Sequence, residues 1–219
     1  MHWIQKHILR QLTLSETCRY SHLKPSGVEG NLFMYHLRAV MRDGYVQKVS
    51  NGYQLTSSGK QYVDKISMEK FQPRIQPKIV TLLVIKNSKG ELLLWKRDKQ
   101  PFIGKIGFIT GKIHLGENIA DAANRELQEK AGLTARTKHI GDGYLTIYEE
   151  KELVSQVLFH CFTGICKTDE IPKELAKNVF WGGIKNYKSE LIPGMPEIYK
   201  LSQQDTHFFA EITKNIHSG

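Results

Sequence analysis

The sequence predicts an α+β protein built from two domains. Helical periodicity with one short hairpin fills the first third of the chain, and apolar strand patterns followed by a helix fill the rest. Between them lies MEKFQPRIQPK, which carries two prolines and no sustained periodicity. We therefore expect one domain over residues 1–67, a linker over residues 68–77 and a second domain over residues 78–219.

The composition is that of an ordinary globular protein, with 219 residues of which 40% are hydrophobic and 24% charged. No apolar run is long enough for a membrane span, and the first residues lack a signal-peptide pattern, so we expect a cytoplasmic protein. Cys18, Cys161 and Cys166 are expected to be buried free thiols, with zinc or a disulfide as weaker alternatives. The nine histidines show no spacing typical of a metal site.

The net charge of +9 is unevenly distributed. Residues 1–77 hold 11 Lys and Arg against 5 Asp and Glu, whereas the remaining residues hold 20 against 17. A basic first third beside a nearly neutral remainder favours contact between the first third and a polyanion. A basic surface without a partner is the alternative.

A helical domain with a hairpin is predicted in the first third of the chain. In order, the pattern predicts helices over residues 3–14, 15–23 and 31–42, a hairpin of YVQKV and YQLT, and a last helix over residues 57–66. The third helix carries an apolar face of Phe33, Leu37 and Val40. A polar stripe lies opposite that face and consists of Asn31, Tyr35, Arg38 and Arg42.

The segment FMYHLRAVMRDGYVQKVSNGYQLTSSG resembles the winged helix-turn-helix family. The resemblance implies that residues 31–42 form a recognition helix and residues 48–53 a wing, with double-stranded DNA as the partner. The polar stripe would then reach base edges or phosphates, and Lys48 would bind backbone phosphate. A solvated helix face is the alternative. Winged helices also serve as dimerisation or protein-binding modules, so a homodimer is compatible with the same sequence.

The second domain carries a group of carboxylates around a predicted helix. Two strands, KIVTLLVI and ELLLWKR, are followed by a loop over residues 98–110 and a helix over residues 118–130. Glu126 and Glu129 are three residues apart and project from one helix face, and Glu117 lies just before the helix. Convergent carboxylates beside a phosphate-bearing substrate provide the oxygen ligands that Mg²⁺ requires. A solvated helix face is again the alternative.

The segment from Gly111 to Leu133 resembles the Nudix box, which reads G, five residues, E, seven residues, then REUxEExGU with U apolar. Here the sequence is GKIHLGENIADAANRELQEKAGL, and every fixed position except one matches. The resemblance implies a Nudix-type α/β/α sandwich with a mixed sheet, and an activity that cleaves a nucleoside diphosphate linked to another moiety.

The resemblance also implies a role for each matching position. Glu126 and Glu129 would ligate Mg²⁺ or Mn²⁺, Glu117 would support the metal site, and Arg125 would orient the carboxylates. Gly111 would open a loop and let the backbone approach the substrate, a nucleoside-diphosphate-type small molecule. Outside the box, Arg97 follows the second strand and could reach a phosphate, with a solvated strand end as an equal alternative.

The one departure from the box is Lys130, which stands where the family commonly places a metal-ligating glutamate. Two unit charges at about 4 Å and a dielectric near 20 repel by roughly 4 kcal/mol, and a divalent ion doubles that upper bound. Lys130 could swing into water, pair with Glu126 one helical turn away, or contact a substrate phosphate. Two functions stay open: a metal-dependent hydrolase weakened by Lys130, or a regulator that senses a nucleotide-like ligand.

Overall fold

The computed structural model of the protein describes residues 1–67 and 69–216. The chain forms two compact units, Met1–Gln76 and Pro77–Gly219. Within the described residues, no helix combines the length and the apolar character needed to cross a bilayer.

The first unit combines helices with short hairpins. In chain order its elements are α1 (Trp3–Thr13), α2 (Tyr20–Leu23), α3 (Gly30–Arg42), β1 (Val46–Val49), β2 (Gly52–Leu55), α4 (Ser57–Lys65), β3 (Ile66–Ser67) and β4 (Gln72–Pro73). The order of helix, short helix, helix, hairpin and helix is the one predicted for a winged helix. The apolar face of α3 is fully buried against α1, whose residues Ile4 and Ile8 are buried as well.

Two details of the first unit differ from the prediction. The second helix is confined to Tyr20–Leu23, because Cys18 instead forms an isolated β-bridge with Tyr53 of β2. The backbone N–H of each bridge residue donates to the carbonyl of the other at 2.9 Å, which extends the hairpin edge. The predicted linker is not irregular throughout, since β4 lies within it and pairs with β3. Met68, also in that segment, lies outside the described residues.

The second unit is organised around a mixed sheet. Its elements are β5 (Lys78–Lys86), β6 (Leu92–Lys96), β7 (Ile106–Lys112), α5 (Ile119–Ala131), β8 (Ala135–Glu149), β9 (Glu152–Cys166), β10 (Val179–Gly182), a short 3-10 helix (Ile184–Tyr187), α6 (Met195–Leu201) and β11 (Phe208–Ile216). The strand order is β10-β6-β7-β5-β9-β8-β11. Strand β5 runs parallel to β9, and β11 runs parallel to β8, while the other neighbours are antiparallel.

Helices cover both faces of this sheet. Alternate residues of β5 point to opposite faces. Leu83 packs in one apolar cluster with Leu127 of α5, and Leu82 packs in another with Ile198 of α6. This arrangement confirms the predicted α/β/α sandwich with a mixed sheet. The cysteines are free and buried, as predicted.

The loop predicted over residues 98–110 is shorter in the structure, because its last residues belong to β7. Phe108 and Ile109 of β7 are buried on opposite faces of the sheet, and the strand continues to Lys112. Gly111 consequently lies inside β7, opposite Thr81 of β5. The expectation that Gly111 opens a loop is therefore wrong.

Candidate functional site

Arg125 on α5 binds the carboxylates that the sequence singled out. Its Nε and Nη2 atoms donate to the two oxygens of Glu117 at 2.7 and 2.9 Å, a bidentate geometry. Its Nη1 atom donates to Glu126 Oε1 at 2.9 Å and to Glu129 Oε2 at 3.3 Å. Nη2 also donates to the carbonyl of Lys112 at 3.0 Å, which fixes the guanidinium against β7. The predicted site residues of the box therefore converge on one arginine.

The Glu117 carboxylate is strongly stabilised in its charged form. Arg125 donates to both of its oxygens, and the backbone N–H of His114 donates to Oε2 at 2.9 Å. These hydrogen bonds, that of Arg125 first, lower the pKa of Glu117 to about 2. The same carboxylates raise the pKa of Arg125 above its already high usual value, with Glu117 contributing most.

Helix α5 can carry this cluster because it packs closely on the sheet. Its inner face includes Ala122 and Ala123, which are fully buried, and Ala123 packs in one apolar cluster with Ile109 of β7. The helix ends at Gly132, whose φ of 65° and N–H bond to the Gln128 carbonyl form a left-handed cap. The charged face of α5 consequently lies against the end of β7.

Gly111 provides the space that the Glu126 carboxylate occupies. A Cβ atom at position 111 would lie 1.6 Å from Glu126 Cδ, so any side chain there would displace the carboxylate. Glu126 is only 6% exposed. The box glycine is thus required for close packing of a buried charge, rather than for the freedom of a loop.

Lys130 forms an ion pair with Glu126, one of the alternatives that the sequence left open. Its Nζ lies 3.0 Å from Glu126 Oε2 and donates to the carbonyl of Thr110. The ammonium also lies 4.8 Å from the centre of the Trp95 ring, within cation–π range. Contacts from α5, β7 and β6 therefore restrain Lys130 beside the carboxylates.

In this arrangement the residues do not fit a divalent cation on Glu126. Oε1 of that carboxylate accepts from Arg125, and Oε2 is paired with Lys130. A metal ion bound to Oε2 would lie close to the Lys130 ammonium, which repels it and competes for the same oxygen. Divalent metal binding at Glu126 requires Lys130 to move away from its three partners.

A cavity of about 240 Å³ opens beside Lys130. Its apolar wall includes Leu82, Leu145, Ile147, Val157 and Met195. Trp95 and Gly111 also line it. Its basic lining side chains are those of Lys78, Arg97, Lys112 and Lys130. Arg97 donates from Nε to the Pro101 carbonyl at 2.9 Å, and burial lowers its pKa, an effect that nearby Asp98 opposes. An apolar cavity edged by cations is suited to a ligand with a ring system and anionic groups.

In the first unit, the polar stripe of α3 is exposed to solvent. Asn31, Tyr35, Arg38 and Arg42 are all exposed, and Lys48 is exposed on β1. The Arg42 side chain is 80% exposed and lies 3.8 Å from Asp43. The predicted DNA-binding residues are thus accessible on one helix face and on the wing.

Sequence reasoning missed a cluster of His139, Asp142 and His160, whose ligand atoms all lie within 4.8 Å of one another. These residues lie on the long hairpin of β8 and β9, and no regular sequence spacing joins them. The cluster is separate from the carboxylates around Arg125. A second missed residue is Trp95, which lies against Lys130 and lines the cavity beside it.

Comparisons with known proteins agree with this architecture. The oxidized purine nucleoside triphosphate hydrolase of Danio rerio is 36% identical over 83 residues, which cover 37% of this chain and 53% of that protein. The ADP-ribose pyrophosphatase of Methanocaldococcus jannaschii is 28% identical over 92 residues, or 40% of this chain and 54% of that protein. The chain thus spans about half the length of these two relatives.

A solved structure and a family model extend the comparison. The NUDIX domain of Shewanella oneidensis NrtR, crystallised with ADP ribose, has the same fold, with a TM-score of 0.50 and 15% identity over 68% of this chain and 97% of that chain. Residues 76–199, more than half of the chain, match the family model of the NUDIX domain. The protein therefore belongs to the NUDIX domain family.

Proposed function

We propose that this protein is a DNA-binding regulator whose NUDIX domain binds a nucleoside-diphosphate-type ligand and hydrolyses it poorly. The observation that carries the proposal is the position of Lys130. Its contacts with Glu126, Thr110 and Trp95 hold a positive charge where the box resemblance calls for a metal-ligating carboxylate. Such a domain retains its ligand cavity but binds divalent metal ions more weakly than a domain with glutamate at position 130.

The cavity beside Lys130 supports a diphosphate-containing ligand. Arg97, Lys112 and Lys130 supply positive charge for phosphate oxygens, and Trp95 offers an aromatic face. The ADP-ribose pyrophosphatase and the nucleoside triphosphate hydrolase to which the chain is similar act on ligands of this chemistry. ADP-ribose is the first probe to use, because it combines a base, a diphosphate and a second sugar.

The exposed stripe on α3 supports binding to double-stranded DNA. Arginine pairs with guanine edges and asparagine with adenine edges in the major groove, so Asn31, Arg38 and Arg42 are suited to base contacts. Lys48 on the hairpin is suited to a phosphate contact, which is independent of sequence. The excess of basic residues in the first unit favours the same partner.

A metal-dependent NUDIX hydrolase using Mg²⁺ or Mn²⁺ is the second candidate function. The arrangement of Glu117, Glu126 and Glu129 around Arg125 favours it, because every box carboxylate except the one replaced by Lys130 is present. The relatives that support the ligand class are named as a hydrolase and a pyrophosphatase. The two candidates differ in whether the bound ligand is converted.

Calorimetric titration of the full chain separates these functions. ADP-ribose, nucleoside-diphosphate sugars, dinucleotides and nucleoside triphosphates are titrated in EDTA, and parallel mixtures without chelator are analysed for products with Mn²⁺ present. We expect binding in EDTA without efficient conversion in Mn²⁺. Rapid conversion by the wild-type chain would favour the hydrolase. Absence of binding in EDTA together with absence of conversion in Mn²⁺, for the whole panel, would exclude the ligand class.

A matched pair of variants assigns that binding to the cavity. Arg97→Gln removes a charge from the cavity lining and is expected to weaken binding of ADP-ribose, whereas Lys96→Gln removes a neighbouring exposed charge outside that lining. Equal loss in both variants would indicate a nonspecific charge effect.

DNA binding is measured on duplexes selected from a random pool, with and without ADP-ribose. A regulator requires the affinity for DNA and the affinity for ADP-ribose to be coupled.

A further inference from the structure

A cluster of imidazoles and a carboxylate lies on β8, β9 and the residue before β11. His139 and Asp142 belong to β8, His160 belongs to β9, and His207 directly precedes β11. His139 and His207 also line a cavity of about 650 Å³, which is distinct from the cavity beside Lys130. Neither the carboxylate site nor the exposed stripe of α3 uses these residues.

A β-bulge brings the cluster together. Residues three apart on a regular strand point to opposite faces of the sheet. In β8 the pairing shifts between His139 and Gly141, which leaves one extra residue and turns His139 to the same face as Asp142. Asp142 is paired directly across from His160. Bulges of this kind re-aim a side chain at a particular point, which is what happens here.

Two imidazole nitrogens of the cluster converge on one carboxylate oxygen, and a third approaches the other oxygen of the same carboxylate. His139 Nε2 lies 2.8 Å and His160 Nδ1 2.6 Å from the same oxygen, Asp142 Oδ1. His207 Nε2 lies 3.6 Å from the other oxygen, Oδ2. All of these side chains are partly exposed, so a solute ion has access to them.

We propose that this cluster is a zinc site, with His139 Nε2, His160 Nδ1, Asp142 and His207 Nε2 as ligands. Imidazole nitrogens and a carboxylate oxygen at about 2.0–2.2 Å make up a common tetrahedral set for Zn²⁺. The first three ligand atoms already lie within 4.8 Å of one another, so small side-chain movements admit the ion. With zinc bound, the ring protons of His139 and His160 reside on their other nitrogens.

The surrounding charge makes the site selective for metals that bind imidazole. Lys86, Arg136 and Lys138 line the same cavity as His139 and repel any divalent ion. Mg²⁺ prefers oxygen ligands and keeps its waters, so it gains little from imidazoles to offset this repulsion. The bonds between zinc and the imidazole nitrogens offset this repulsion.

Bound zinc would join three strands of the sheet. His207 ties the start of β11 to the hairpin of β8 and β9, because Phe208 pairs with Gly141. A ligand that binds the folded state and not the unfolded chain raises the melting temperature. The predicted role is therefore structural, and thermal stability provides a readout that is independent of catalysis.

The test is zinc titration of the full-length chain, stripped of metal with a chelator and carrying no histidine tag. We expect binding of one Zn²⁺ per chain with a rise in melting temperature, and no comparable effect of Mg²⁺. His160→Gln and His207→Gln should each weaken zinc binding at least about tenfold, since loss of even an outer hydrogen-bond partner of a metal ligand costs about that much. His22→Gln, an exposed histidine of the first unit, is the control and should bind as the wild type does.

His207→Gln keeps the test decisive even if His160→Gln fails to fold, because His207 is 55% exposed and lies outside the strands. X-ray absorption of the zinc-loaded chain should show nitrogen and oxygen ligands only. Equal zinc affinity of the wild type and His207→Gln would overturn the four-ligand site. Sulfur in the ligand shell, implicating a cysteine, would overturn it as well.

Discussion

Lys130 Nζ lies 3.0 Å from Glu126 Oε2, one helical turn away on α5. Glu126 is nearly completely buried, so its charge has to be balanced by neighbours, and Lys130 and Arg125 both do so. The ammonium stands where the Nudix box commonly has a metal-ligating glutamate, and it pairs with the Glu126 oxygen to which Arg125 does not donate. We propose that this pair limits metal binding, and with it hydrolysis, in the NUDIX domain.

Replacing Lys130 with glutamate should increase metal affinity. Lys130→Glu removes the competing charge and adds a carboxylate beside Glu126, and we expect Mn²⁺ to bind at least about tenfold more tightly, a change of about 1.4 kcal/mol. Electron paramagnetic resonance of free Mn²⁺ during a titration measures this. Lys130→Gln should give an intermediate affinity, and Lys173→Glu, the same charge change at an exposed position elsewhere in the unit, should have little effect. Equal affinity of the Lys130→Glu and Lys173→Glu variants would show that position 130 does not face the metal.

Removing Arg125 should raise the pKa of Glu117 toward the ordinary value for a glutamate. The pKa of Glu117 lies near 2 instead of 4.5, because Arg125 donates to both of its oxygens. In Arg125→Gln we expect carbon-13 NMR of the Glu117 carboxyl to report a clearly higher pKa. A carboxyl that still titrates near the wild-type value would mean that the backbone N–H of His114 accounts for the shift.

The same shift predicts a pH dependence of stability. A depressed folded-state pKa means that the stabilising contribution of Glu117 is complete above about pH 4.5 and is lost as the pH falls toward 2. Melting temperatures of the wild type should therefore fall more steeply across this window than those of Glu117→Gln. Glu174→Gln, which removes an exposed carboxylate elsewhere in the unit, is the comparison. Parallel curves for the wild type and Glu117→Gln would count against the Arg125 contact.

A methyl group at position 111 should disrupt the carboxylate cluster. In Gly111→Ala the new Cβ would overlap the Glu126 carboxylate, and overpacking of this kind costs about 1–3 kcal/mol. Urea unfolding measures the loss. Gly183→Ala is the matched control, because its Cβ would meet Asn186 at an ordinary 3.6 Å and its φ of −88° suits alanine. Equal stability of the two variants would show that Glu126 relaxes freely.

The α3 stripe can be tested by removing its arginines. We expect Arg38→Ala/Arg42→Ala to weaken duplex binding. If both arginines contact phosphate, the plot of log binding constant against log salt concentration should become less steep by about 1.8. Lys60→Ala/Lys65→Ala removes the same charge from exposed positions on α4 and should change binding less. Fluorescence anisotropy over a range of salt concentrations measures both. If the two double variants behave identically, α3 does not read DNA.

The sequence was sufficient for much of the carboxylate site. Helix spacing predicted that Glu126 and Glu129 share a face, and the resemblance to the Nudix box implied that Glu117 and Arg125 belong with them. The exposed stripe on α3 followed from the same helical geometry. Periodicity locates side chains that share a helix face, whereas the parts of Arg125 and Glu117 followed from the resemblance.

Contacts between distant segments could not be predicted in this way. The position of Lys130 depends on Trp95 and Thr110, which lie on neighbouring strands and reach it only after the sheet has formed. Nor could the histidine cluster be read from spacing, because it depends on a bulge at one residue of β8. A bulge reverses the side-chain alternation without leaving a clear signal in composition.

The most direct test of the proposal that Lys130 limits hydrolysis by the NUDIX domain is a single-turnover assay with ADP-ribose. Protein is held in excess over ADP-ribose with saturating Mn²⁺, and water addition across the diphosphate is followed by chromatography as AMP and ribose 5-phosphate form. We expect the wild-type chain to retain ADP-ribose intact over a period in which Lys130→Glu converts it. Equally fast conversion by both proteins would contradict the restraining role of Lys130 and identify the wild-type chain as an efficient hydrolase.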